Sequence, residues 1–289
     1  MPNVPSDRPV AGILWMLVSG LFIVATNAMI HAVGPAVPAP QAAFIRFGLG
    51  ALVLSPVLVP LISSGLPTGT LPLLSLRALI HAVAVACWFY ALARLTPAES
   101  TAIGYLFPVA MMLGGTLLLG ERLTATRGWA LVIALAGGLV VLRPGFAPVS
   151  LAHLSMIAAA LIFAASFLMA KVLLRQLPPI AVVALLSLGV ALCLAPVAWA
   201  VWQPIGGRDL ALVVGSAATA TISQLTGTRA LSLAPVTVLQ PVAFFQILWA
   251  TAVTVLLFGE PVSGAVIVGS AMIVAAVAWA ARAEARSER

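Results

Sequence analysis

A chain of 289 residues that is 63% hydrophobic and only 7% charged carries more apolar surface than a soluble fold of that length can hide, since soluble domains run at roughly 45–50% apolar and about 25% charged. The net charge of +7 comes from basic residues that stand singly between apolar runs, which argues against a nucleic-acid surface, where such residues cluster. A soluble domain is excluded, and the solvent is lipid.

Apolar runs of about 20 residues, long enough to cross a hydrocarbon core at ~1.5 Å rise per residue, recur along the chain. They lie at 11–33, 41–62, 77–95, 97–119, 126–143, 151–173, 179–202, 209–229, 235–258 and 263–282. The polar–apolar alternation of barrel strands is missing, so the reading is an all-α integral membrane protein of ten transmembrane helices. The first run lacks a clear signal cleavage site after a short core and is expected to be retained, with residues 1–10 and 283–289 as tails. Arg8, Arg77, Arg122, Arg127, Lys171, Arg175, Arg229, Arg282, Arg286 and Arg289 fall at one set of helix ends, and Arg46, Arg94, Arg143 and Arg208 at the other. The positive-inside rule then places both termini in the cytoplasm. Lys171 is the only lysine, and the arginine-rich usage points to a bacterial inner membrane.

The chain repeats itself. Ala91-Leu-Ala-Arg-Leu-Thr-Pro97, leading into a helix that ends Leu118-Leu119-Gly120-Glu121, is echoed by Arg229-Ala-Leu-Ser-Leu-Ala-Pro235 and Leu257-Phe258-Gly259-Glu260, and a hydroxyl residue follows each end, Thr124 and Ser263. A unit of five helices is odd, so the two halves, 11–143 and 151–282, enter the membrane in opposite senses. Inverted repeats of this kind are characteristic of carriers with a midplane site where the halves meet.

These segments, with Arg143-Pro144-Gly145 closing the fifth helix and Arg46-Phe47 in the second, resemble the EamA family of the drug/metabolite transporter superfamily over residues 11–282. The resemblance implies a central cavity lined by helices one, three, four, six, eight and nine, opened alternately to the two sides. It also implies no cofactor, and it admits a homodimer through helices four and nine. The expected partners are a small-molecule substrate and the bilayer.

Aligning the halves on their Gly-Glu ends sets Thr101 and Tyr105 opposite Gln240 and Phe244, each pair four residues apart and so on one helix face. They read either as a substrate-lining set or as ordinary helix-packing groups. His81 and Trp88 share a face of the third helix, opposite Thr219 and Thr226 of the eighth. An intramembrane histidine is a functional candidate, while His81, four residues after Arg77, also fits the interface, and Trp88 fits an interfacial anchor as well as a stacking surface. The eighth helix, with Ser216, Thr219, Thr221, Ser223, Gln224, Thr226 and Thr228, must turn one face inward, and Gln224 is its leading candidate. Asn27, Phe163 and Phe167 are added because the resemblance assigns their helices to the cavity. Lys171 is read as snorkelling to the interface. Pro108 and Pro241 are expected hinges, each removing a backbone hydrogen bond from its helix.

Glu99 reads as part of a capping box. Glu121 and Glu260 are expected to face the N-terminus of the helix that follows each, capped by Thr124 and Ser263. No buried acid then remains for proton coupling, and the few cavity charges argue mildly against a strongly ionic substrate. Cys87 and Cys193 are packing residues without metal-type spacing. An integral membrane enzyme is the distant alternative: there is no H-E-x-x-H, no G-x-S-x-G, and His31, His81 and His153 lie in three different helices. The leading function is export of an amino acid or related metabolite, with uptake of a flavin or nucleoside derivative as the alternative.

Overall fold

The computed structural model describes residues 8–92, 94, 95, 103–142, 150–258 and 264–287, and every regular element among them is helical. In chain order these are α1 (Pro9–Val33), α2 (Ala39–Val53), α3 (Ser55–Ser63), α4 (Thr70–Leu92), α5 (Leu106–Leu119), α6 (Ala125–Leu142), α7 (Leu151–Leu173), α8 (Pro179–Ala200), α9 (Gly207–Leu233), α10 (Val236–Ala243), α11 (Gln246–Phe258) and α12 (Gly264–Ser287). Among the described residues six are long and apolar enough to cross a membrane, namely α1, α4, α7, α8, α9 and α12. The pair α2 and α3 makes a seventh candidate span bent by 69°, and the remaining apolar helices are shorter.

The shortening has local causes. The second apolar run breaks at Leu54, two residues before Pro56, whose missing N–H leaves Leu52 O without its helical donor. The run at 235–258 breaks at Phe244 and Phe245, where Phe245 N–H bonds Val242 O at 2.9 Å and Leu248 N–H bonds Phe245 O at 3.0 Å, the tighter i−3 pattern of a 3₁₀ turn. Another break falls at Tyr105, three residues before Pro108, whose missing N–H leaves Gly104 O without its helical donor.

The two halves are interleaved. The most extensive helix pairs, α1·α9, α6·α12, α4·α7 and α2·α8, each join an element before residue 143 to one after residue 150. Small residues make these contacts close. At Gly12 of α1 an added Cβ would lie 2.6 Å from Ala234 Cβ, and at Gly137 of α6 it would lie 2.7 Å from Gly269 O of α12, the small-residue packing that serves where lipid gives helices no hydrophobic reason to associate. Large apolar side chains such as Leu52, Leu117, Leu118, Leu192 and Trp199 point outward, as a lipid-facing surface requires.

The Gly-Glu motif acts as a clasp between halves. Gly120 ends α5 in the left-handed conformation, φ 69°, and the next N–H, that of Glu121, bonds back to Gly115 O at 3.0 Å, a glycine-dependent helix stop. Glu121 is thereby turned toward α10, where its carboxylate accepts from Val236 N–H at 2.8 Å and Thr237 N–H at 2.9 Å. This corrects the expectation that Glu121 faces the next helix: the free N–H groups and positive end of α10 take the carboxylate, while Thr124 alone caps α6 through Arg127 N–H at 3.3 Å. Glu99, Glu260, Ser263 and Arg143 lie outside the described residues. Lys171 is corrected in the same way. Instead of snorkelling, its Nζ donates to Leu231 O and Ala234 O, both at 2.6 Å, closing the C-terminal end of α9.

Candidate substrate site

A charged and aromatic cluster sits where α2, α4, α7 and α8 converge. The helix period places Arg77 and His81 one turn apart on the inner face of α4, and both are buried, at 2% and 3% exposure. His81 Nδ1 shares a hydrogen bond with Ser166 Oγ of α7 at 2.9 Å. Arg77 donates from Nε to Ser166 O at 3.0 Å and from Nη1 to Val182 O of α8 at 3.1 Å. Aromatic rings surround the imidazole: Phe163 at 5.0 Å and Phe47 at 5.8 Å, both edge-to-face, and Phe167 at 6.2 Å. Phe167 in turn meets Phe107 of α5 at 5.5 Å. His81, Phe163 and Phe167, chosen from two helices in different halves, therefore come together.

Arg77 and Arg46 depart from the expected topology. Both were assigned to helix ends, yet α4 begins at Thr70, which puts Arg77 about 10 Å along the helix, and Arg46 stands in the middle of α2. Arg46 is half-buried, and its guanidinium lies 4.8 Å from the Phe47 ring centroid. Sequence reasoning missed Arg46, Phe47, Arg77, Phe107 and Ser166 as members of the cluster. The available signal was the presence of arginine inside an apolar run, which is costly in lipid and marks function by default.

A second grouping lies at the breaks in the apolar runs. Tyr105 and Phe244, opposite each other in the repeat, meet with ring centroids 4.6 Å apart. Tyr105, Phe244 and Gln240 are all buried, at 2%, 0% and 1% exposure, and the Tyr105 hydroxyl and Gln240 Oε1 find no partner among the described residues. Leaving such a group unsatisfied costs about 1–3 kcal/mol. Pro108 is buried in the first turn of α5 beside this break, whereas Pro241 lies three residues before the break at Phe244. Thr101 lies outside the described residues.

The remaining candidates stand apart. Trp88 is half-buried and packs edge-to-face on Phe89 at 5.1 Å. Asn27 is exposed, because its neighbour Thr26 is the residue that turns toward α9 and shares a 2.8 Å hydrogen bond with Thr219. Gln224 is half-buried. Most hydroxyls of α9 meet neighbours: Ser223 exchanges hydrogen bonds with Ser19, Oγ to backbone O at 3.0 Å and 2.8 Å in the two directions, and Thr221 and Thr226 bond back to Ala217 O and Ile222 O, each at 2.8 Å.

Two riboflavin transporters are similar along almost the whole length: that of Vibrio cholerae is 26% identical over 98% of this chain and 96% of its own, and that of Rhizobium johnstonii 27% identical over 99% and 96%. The pseudopaline exporter CntI of Pseudomonas aeruginosa is 25% identical over 46% of this chain, so the match spans about half of that protein, 47%. A solved crystal structure shares the fold, with a TM-score of 0.78 at 23% identity, covering 96% of this chain and 99% of the other. Residues 10–143 and 150–282 each match the EamA-like transporter family, and the chain belongs to that family.

Proposed function

We propose that this protein is a ten-helix carrier of a small organic metabolite, built from inverted halves at 11–143 and 151–282 and working by alternating access. The observation that carries the reading is the His81 cluster: a buried polar centre walled by aromatic rings, with residues from α2 and α4 of one half and α7 and α8 of the other. Moving one half against the other opens or closes such a site, which is the geometry a carrier needs. The unsatisfied Tyr105 hydroxyl and Gln240 Oε1 support a second contact surface, to which the repeat pattern of the sequence assigns Thr101, that changes partners during the cycle. Pro108 and Pro241 are hinge candidates, and Gln224, Asn27 and Trp88 are outer members of the lining.

The primary reading is export of an amino acid or related compound from the cytoplasm, with both termini on the cytoplasmic side of the bacterial inner membrane. The second reading, uptake of a flavin or nucleoside derivative, is favoured by the relatives that align along nearly the whole chain, two named riboflavin transporters and one, of Rickettsia prowazekii, an S-adenosylmethionine uptake transporter. A homodimer is compatible with either. The test is counterflow in proteoliposomes: vesicles preloaded with an amino acid or with riboflavin should accumulate the labelled compound transiently and saturably. A flux that rises linearly with concentration for every compound would point to a channel and defeat the carrier reading.

A further inference from the structure

Arg46 is the unexplained charge of the molecule. It stands seven residues from the start of the 15-residue α2, about 10 Å into the helix, too deep to be an interfacial anchor of the kind that lines helix ends. Its guanidinium touches the Phe47 ring and forms no hydrogen bond or ion pair among the described residues. Arg77 differs, because Ser166 O and Val182 O take two of its five donors. Of the carboxylates whose side chains are described, Glu121 sits on the N-terminus of α10 and Asp209 lies in the first turn of α9. Among the described residues neither arginine forms an ion pair, in surroundings where an unpaired charge is expensive.

An arginine with its planar fork of donors unused, next to rings, fits a planar molecule bearing a carboxylate or phosphate. We infer that the substrate of this carrier is an anion on a planar ring system: Arg46 receives the anionic group, and Phe47, Phe163 and Phe167 with His81 hold the ring. Arg77 is a positioning residue, pinning Ser166 and through it the imidazole. The inference rests on the carrier reading and narrows its substrate class, reversing the expectation of a weakly ionic substrate.

The experiment compares paired probes that share a ring and differ in charge, namely riboflavin 5′-phosphate against riboflavin and N-acetyltryptophan against its amide. Each is measured by its stabilisation of the full-length protein in detergent. The anionic member of at least one pair should bind about tenfold tighter, the scale of one charge-assisted hydrogen bond. Arg46→Gln should reduce that preference to less than about twofold while leaving affinity for the neutral member unchanged. Equal binding of both members, or a preference that survives Arg46→Gln, overturns the anion assignment and leaves the carrier reading in place. Failure of every probe on a cooperatively unfolding wild type counts against the site itself, and so against the reading beneath it. Because Arg46→Gln could disturb folding, phenylglyoxal modification of the wild type, mapped by mass spectrometry, gives an independent answer. The anionic probe should shield Arg46 while exposed Arg8 and Arg229 stay reactive; shielding that does not differ between the members of a pair overturns the inference.

Discussion

The α1·α9 and α4·α7 seams occupy equivalent places in the repeat, and they are made of different material. The repeat sets Thr219 opposite His81; Thr219 bonds Thr26 across the first seam at 2.8 Å, and His81 bonds Ser166 across the second at 2.9 Å. Along the first seam the contacts are Gly12 on Ala234, Ser19 on Ser223 and Gly227 on Ser19. Around His81 they are Arg77, Phe163, Phe167 and Phe47. One seam meets its polar groups with small hydroxyls at close range. The other holds charge and aromatic surface. On the proposed reading a shared scaffold is divided between packing and recognition, and the division can be tested from each side.

The largest effect belongs to the packing seam. Gly12→Leu forces a side chain into Ala234 and should destabilise the protein by about 3 kcal/mol, the upper range of overpacking, seen as a lower unfolding temperature in detergent. The sharpest contrast comes next. His81→Ala should lower transport kcat/KM about thirtyfold, equivalent to ~2 kcal/mol, while Thr219→Val at the matching position should change it less than about twofold; equal losses would erase the distinction between the seams.

Glu121→Ala removes the acceptor for two N–H groups at the start of α10 and should lower stability by about 2 kcal/mol, with binding of any substrate unaffected once the protein is folded. Ser19→Ala is the smallest. Interhelical hydrogen bonds in membranes average about 0.6 kcal/mol, so a loss above roughly 2 kcal/mol would show that the first seam depends on polar bonds rather than on close packing.

How much of this was legible in the chain depends on what each residue binds. The apolar runs announce helices, because lipid leaves few alternatives, and the repeat matches Tyr105 with Phe244, whose ring contact only the structure adds. Arg77 and Glu121 were misplaced for one reason. Their partners are backbone groups of residues far along the chain, Ser166 O and Val182 O for the arginine and the N–H groups of Val236 and Thr237 for the glutamate. A carbonyl or an amide is the same at every position, so no residue type advertises the pairing, and a charge without a visible partner reads as the end of a span. The break at Leu54 was readable from Pro56, but the one at Phe244 arises three residues beyond Pro241 and has no comparable marker.

The most direct test of the account is cysteine accessibility at the recognition seam. With Cys87 and Cys193 replaced by serine, Phe163→Cys should react with a membrane-impermeant thiol reagent added from either side of oriented vesicles, while Ser223→Cys in the packing seam should not react from either side. Labelling at position 163 from both faces is the result alternating access requires; labelling from one face only, or from neither in a protein that still transports, would contradict it.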